Sequence, residues 1–110
     1  METRSPILQG TLDLMVLKTL EQLGPLHGYG IARRLEQVGQ DAMVVNQGTI
    51  YLCLVRLMQK KFISAKWGTS DNNRKARFYS ITRAGRAQLK LEAESWVRIS
   101  GVIGRVLQPE

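Results

Sequence analysis

At 110 residues, 44% hydrophobic and 23% charged, the chain has the make-up of an ordinary globular protein, with room for one domain and a modest core. Sixteen Lys and Arg against nine Asp and Glu give +7, which favours a polyanionic partner, either nucleic acid or an anionic membrane surface. With His27 the only histidine and Cys53 the only cysteine, a His/Cys metal site and an internal disulfide are excluded; no cofactor or metal is expected, and a reducing cytoplasm fits.

The N-terminal METRSPILQG lacks the basic start and apolar run of a signal peptide. The longest uncharged stretch, Ala42 to Val55, contains Asn46, Gln47 and Thr49, so no membrane span is predicted. From Thr11, TLDLMVLKTLEQLG carries Leu12, Met15, Val16, Leu20 and Leu23 at helical spacing, with Leu14 and Leu17 as a second stripe. Thr11 suits the N-cap, Asp13 the positive end of the dipole, and Gly24-Pro25 the stop. Apolar residues on more than one face predict a helix that meets more than its own core. A turn, PLHGYG, leads to a second helix from about Tyr29 to Gln37, with Ile31 and Leu35 inward and Arg33, Arg34 and Glu36 outward. His27 reads as a turn or capping residue and not as a ligand.

After the connector VGQDAMVV, Asn46 caps a third helix, NQGTIYLCLVRLMQKK, buried through Ile50, Leu54, Leu57 and Met58. Gln47, Gly48, Thr49, Leu52, Val55, Arg56 and Gln59 fall on its opposite and flanking faces. Cys53 is either a core thiol or a redox sensor, and Arg56 is the one cation spaced to activate it. Ile63, Ala65 and Trp67 then alternate with Ser64 and Lys66 as a strand should, a polar turn spans 69–74, and a second strand runs from Lys75 to Ile81. Thr82 caps a last helix reaching about Leu107. No repeat, low-complexity tract or linker interrupts the chain, which predicts a single domain over residues 1–110.

The charge is concentrated. Residues 56–90 hold ten cations (Arg56, Lys60, Lys61, Lys66, Arg74, Lys75, Arg77, Arg83, Arg86 and Lys90) against Asp71 alone. One-sided basicity of this kind is the footprint of nucleic-acid binding, or else a solvated face that aids solubility. The order helix, helix, helix, strand, strand, helix predicts a mainly α winged helix-turn-helix, with residues 8–81 as a DNA-binding region and 82–107 as a long C-terminal dimerisation helix. Arg74, Lys75 and Arg77 sit where the hairpin, as a wing, would touch phosphates beside the groove entered by the third helix.

GTLDLMVLKTL, GPLHGYGIARRLEQ, VNQGTIYLCLVRL, ISAKWGTSDNNRKARFYSITRAGR and ESWVRISGVIGRVL, in this order, resemble the PadR-like transcriptional regulators, and within them the short subgroup that ends after one long helix. The resemblance runs from about Leu8 to Leu107. It implies a dimeric bacterial repressor on an inverted-repeat operator, the third helix in the major groove and the wing on the backbone. On the matching positions, Asn46, Gln47, Gly48 and Thr49 open the recognition helix, Tyr51 follows one turn in, and Arg74, Lys75 and Arg77 form the basic wing. Gly48 lets the helix end approach DNA closely, and Gln47 and Thr49 can bond base edges or phosphate. Tyr51 either contacts DNA or is half-core, with only its hydroxyl reaching phosphate.

The chain departs from the family pattern where Leu52 replaces the usual proline, Cys53 a small residue, and Val55 a polar or basic one. Leu52 and Val55, with Arg56 beside them, are expected on the DNA-facing side, either packing on thymine methyls or weakening the operator contact.

A final helix of about 25 residues would be roughly 37 Å long, more than so small a domain can cover. Its stripe of Leu89, Ala93, Trp96, Ile99, Ile103 and Val106, with Leu14 and Leu17 of the first helix, is the expected two-fold dimer interface. By the same resemblance, Trp96 either stacks on a small aromatic effector between subunits or simply packs in the seam. The function expected is a sequence-specific DNA-binding repressor. Its alternative is a winged-helix protein-interaction module whose basic surface meets an acidic protein. An enzyme is not expected, since no acid–base pair is available. A membrane surface fits poorly, because the cations follow a hairpin and not one face of an amphipathic helix.

Overall fold

The computed structural model describes residues 5–6, 9–40 and 43–109. Leu8, the expected start of the DNA-binding region, and Asp41 and Ala42 of the connector lie outside them. The elements run β1 (Ser5–Pro6), α1 (Gln9–Leu23), α2 (Gly28–Gly39), β2 (Met43–Val44), α3 (Gln47–Gln59), β3 (Ile63–Thr69), β4 (Lys75–Ile81) and α4 (Arg83–Leu107). This is the expected mainly helical winged arrangement, with a short parallel β1–β2 pair added that the sequence did not suggest.

Polar side chains set three of the four helix starts. His27 Nδ1 accepts the Gly30 N–H at 2.9 Å, Asn46 Oδ1 the Thr49 N–H at 2.8 Å, and Thr82 Oγ1 the Gly85 N–H at 3.0 Å. The fourth differs from expectation: α1 begins at Gln9, so Thr11 lies inside its first turn and is not its cap. Asp13 likewise turns from the helix end to a partner on α3, described below.

The end of α3 is a Schellman turn, in which Lys61 N–H reaches Met58 O and Phe62 N–H reaches Leu57 O, both at 3.0 Å. It puts Lys61 at φ 63°, a left-handed conformation usually given to glycine. The Thr82 hydroxyl then donates to Lys61 O at 2.8 Å, tying the start of α4 to the end of α3. Gly85 follows one turn on, and a methyl there would run into the Phe62 carbonyl oxygen.

The core joins Leu12, Val16, Leu17 and Leu20 of α1 to Ile31 and Leu35 of α2, Ile50, Leu54 and Leu57 of α3, the hairpin base through Ile63, Tyr79 and Ile81, and Leu89 of α4. Leu17 and Leu89, expected at a dimer seam, are therefore buried in the chain's own core: the first turns of α4 pack on α1 and find their partner there. Met58, expected in the buried stripe of α3, is half-buried, and Cys53 takes that inner position instead. The antiparallel hairpin pairs Ile63 with Ile81 through to Thr69 with Lys75. On its other edge, β4 exchanges hydrogen bonds with Leu26, from Leu26 N–H to Tyr79 O at 3.1 Å and from Tyr79 N–H to Leu26 O at 2.8 Å. The wing is thereby anchored to the α1–α2 turn.

The far half of α4 leaves this body. The radius of gyration is 15.3 Å, against about 13 Å for a compact chain of this length, and the longest extent is 56 Å.

Candidate nucleic-acid interface

The first turn of α3, capped by Asn46, is open to solvent. Asn46, Gln47 and Gly48 are exposed and Thr49 is half-buried, while Ile50, Cys53, Leu54 and Leu57 carry the inner face. On the outer face Tyr51 is 62% and Leu52 60% exposed, with Val55 half-buried beside them. A Cβ on Gly48 would meet nothing nearer than Asn46 Oδ1, at 3.5 Å, so no internal contact requires glycine there.

The wing turn brings its cations opposite this helix end. Ser70 N–H donates to Arg74 O at 2.8 Å and Asn73 N–H to Ser70 O at 2.9 Å, with Asn73 at φ 59°. That is a three-residue hairpin loop in which asparagine takes the left-handed position. Arg74, Lys75 and Arg77 are all exposed. They line one wall of a cleft of about 570 Å³ whose other walls carry Tyr29 of α2 and Gln47 and Tyr51 of α3. Cations, amide and phenol groups around an open cleft make a surface suited to a phosphate backbone.

Arg56 does not join that surface. Its guanidinium Nη2 donates to Asp13 Oδ1 at 2.7 Å, and the same oxygen accepts the Cys53 thiol at 3.0 Å. The expectation that Arg56 faces DNA is corrected by this ion pair: the carboxylate one helix away is nearly buried and needs a cation. Burial, reinforced by the hydrogen bond to Asp13 and its negative charge, pushes the Cys53 thiol far above its ordinary range, against the opposing pull of Arg56. Fully buried and held neutral, the thiol has the surroundings of a core residue.

The profile of the transcriptional regulator PadR-like family matches residues 16–91. The chain belongs to the PadR-like family. Membership makes it a transcription regulator and not an enzyme. A PadR-like transcriptional regulator from Bacillus cereus strain ATCC 14579 is similar at 29% identity and a TM-score of 0.79, over 93% of this chain and 96% of that one. A transcriptional regulator from Clostridium thermocellum gives a TM-score of 0.82 at 24% identity, over 91% and 96% of the two chains, a likeness of fold alone. An uncharacterized protein of Lysinibacillus sphaericus is 27% identical over 100 residues, 91% of each chain.

Two further exposed aromatic residues, one lining the cleft and one on the wing across from Arg77, are not singled out by their sequence context. Tyr29, exposed beside the cleft, reads in sequence as a helix-start residue; only the fold of α2 against α3 puts it next to Gln47 and Tyr51. Trp67 reads as an inward strand residue, yet it is 64% exposed, because the hairpin outreaches the core beyond Ala65.

Away from the wing, the PadR-like chain has a second distinctive surface. Trp96, Ile99, Ile103 and Val106 of α4 are exposed, as are Val97, Val102 and Leu107. Leu14 and Ala93 are half-buried. Trp96 lies between two hollows of about 590 and 430 Å³ that both also include Leu14; Ala93 lines the larger and Ile99 the smaller. Among the described residues, no helix is long and apolar enough to cross a membrane and no group of acidic, His or Cys side chains could hold a metal.

Proposed function

We propose that this PadR-like regulator is a dimeric, sequence-specific DNA-binding repressor that grips an inverted-repeat operator with α3 and the β3–β4 wing. The observation that carries the reading is one cleft in which Gln47 and Tyr51, at the exposed start of α3, face Arg74, Lys75 and Arg77 of the wing. In this reading the wing cations neutralise phosphates, which fixes register and orientation. Gln47 and Thr49 read base edges, Asn46 and Gly48 let the helix end come close, and Leu52 with Val55 packs on thymine methyls. Tyr51 donates its hydroxyl to a phosphate. Residues 8–81 form the DNA-contacting region and 82–107 the assembly helix of one domain.

A single recognition helix seldom discriminates enough against bulk DNA, and an exposed apolar stripe on α4 supports assembly in pairs. Trp96, Ile99, Ile103 and Val106, with Leu14 and Ala93, would close on the partner. The two hollows beside Trp96 support a flat aromatic effector that stacks on the indole and releases DNA by shifting the spacing of the two helices.

A gel shift on inverted-repeat DNA across a salt series, with competition by unrelated DNA, tests the reading. Salt-sensitive binding that specific competitor removes and unrelated competitor does not is expected. Binding indifferent to salt and competitor would contradict it and leave an acidic protein as the partner of this surface.

A further inference from the structure

Trp67 is the least buried tryptophan of the chain, and burial does not explain its place. By the pleat of the hairpin, Ile63, Ala65, Trp67 and Thr69 of β3 share a face with Ile81, Tyr79, Arg77 and Lys75 of β4. At the base of that face Ile63, Tyr79 and Ile81 are in the core. Further out the same face reaches solvent, and there the indole stands directly across from Arg77. Lys75 Nζ lies 5.1 Å from the Trp67 ring centroid and Arg77 Cζ 5.8 Å, while Arg77 also lies 5.9 Å from the Tyr79 ring. Lys75, Arg77 and Tyr79 line the cleft, and the indole, on their strand face, lies next to two of these cleft-lining cations.

We propose that Trp67 is itself a DNA contact, packing its ring on the deoxyribose of the strand whose phosphates Lys75 and Arg77 neutralise; the proposal rests on the DNA-binding reading above. The nucleic-acid backbone alternates anionic phosphates with apolar sugars. Two cations flanking one flat apolar ring present the complementary alternation. The indole also keeps the two cations, two residues apart on one strand face, from pointing freely into solvent. Its contact with sugar is non-ionic and independent of base identity, so it strengthens binding to all sequences alike.

Trp67 and Trp96 are the two tryptophans, so each can be followed separately. Trp96→Phe leaves the wing indole as reporter, and Trp67→Phe leaves the α4 indole as control; should Trp96→Phe not fold, the emission of the unaltered chain minus that of Trp67→Phe gives the same signal. Each full-length chain is titrated with duplex DNA at low salt, with binding followed independently by anisotropy of a labelled duplex. The expected result is a change in Trp67 emission at saturation, none from Trp96 alone, and an affinity loss of about tenfold in Trp67→Ala with the salt slope retained. Trp67 emission unmoved by saturating DNA, or undiminished affinity in Trp67→Ala, would overturn the contact. So would a loss of slope equal to that of Lys75→Ala, which would make the ring only a prop for the cations. Failure of the unaltered chain to bind any duplex would overturn the repressor reading together with this one.

Discussion

Asp13 on α1 holds the Arg56 guanidinium of α3 at 2.7 Å, joining residues 43 apart in sequence through a nearly buried carboxylate. Removing one member of a buried pair costs about 3–5 kcal/mol, because the other is left uncompensated. With 27% of the Arg56 side chain still exposed, Asp13→Asn is expected to cost less, about 1–3 kcal/mol, in urea unfolding. Asp13→Asn with Arg56→Met should cost less than the two changes summed. Arg56→Met should leave the salt slope of DNA binding unchanged, since its charge is committed internally.

Cys53 makes stability depend on alkaline pH. Its folded-state thiol titrates above the unfolded one, so its contribution is fully present below the unfolded value and is lost as pH rises. Above about pH 9, where the unfolded thiol ionises, this residue alone should remove about 1.4 kcal/mol per pH unit. Denaturation of the unaltered chain and of Cys53→Ala between pH 8 and 10.5 isolates the effect: the stability difference between them should change at that slope. A thiol reagent should label Cys53 only on unfolding.

Two glycines should respond oppositely. Gly85→Ala forces a methyl against the Phe62 carbonyl and the Ile81 side chain, and about 2 kcal/mol or more of stability should be lost. Gly48→Ala has room, at 3.5 Å from Asn46 Oδ1, and should leave folding unchanged or raise it by up to about 1 kcal/mol through helix propensity. On the proposed reading the same methyl stands between α3 and DNA, so Gly48→Ala should bind operator more weakly while melting no lower.

The wing and the helix end should fail differently. Replacing Arg74, Lys75 or Arg77 by Ala should weaken binding to all sequences similarly and reduce the salt slope by about one for each phosphate left without its cation in a half-site. Gln47→Ala should relax base preference more than it lowers non-specific affinity. Titrations against operator and unrelated duplex at several salt concentrations separate the two.

What the sequence carried was local. The caps at Asn46, Thr82 and His27 were legible because each closes on a backbone N–H three residues away. The strand ends and the basic turn were legible because alternation and Asn-rich turn chemistry are also short-range. Thr11 looked equally cap-like, but the helix begins two residues earlier. Partners far apart in the chain were not legible: Asp13 with Arg56, Leu26 with Tyr79, and β1 with β2. Nor did spacing tell which apolar stripe meets which. Leu17 and Leu89 have the same pattern as Leu14 and Ala93, and only the packing of the folded chain puts the former pair in the core and leaves the latter half-buried.

Selection of binding sites for the full chain from random duplex DNA decides whether a dimer reads an inverted repeat. The selected duplex is then titrated in a sedimentation experiment. An enriched inverted repeat with half-site centres about 10–10.5 base pairs, or a multiple of that, apart, bound by two chains, is expected. Ile99→Glu with Ile103→Glu, which would bury unpaired charge in the seam, should sediment as a monomer and lose the repeat. A pool without enrichment, or one chain bound per selected site, would contradict a dimer reading an inverted repeat.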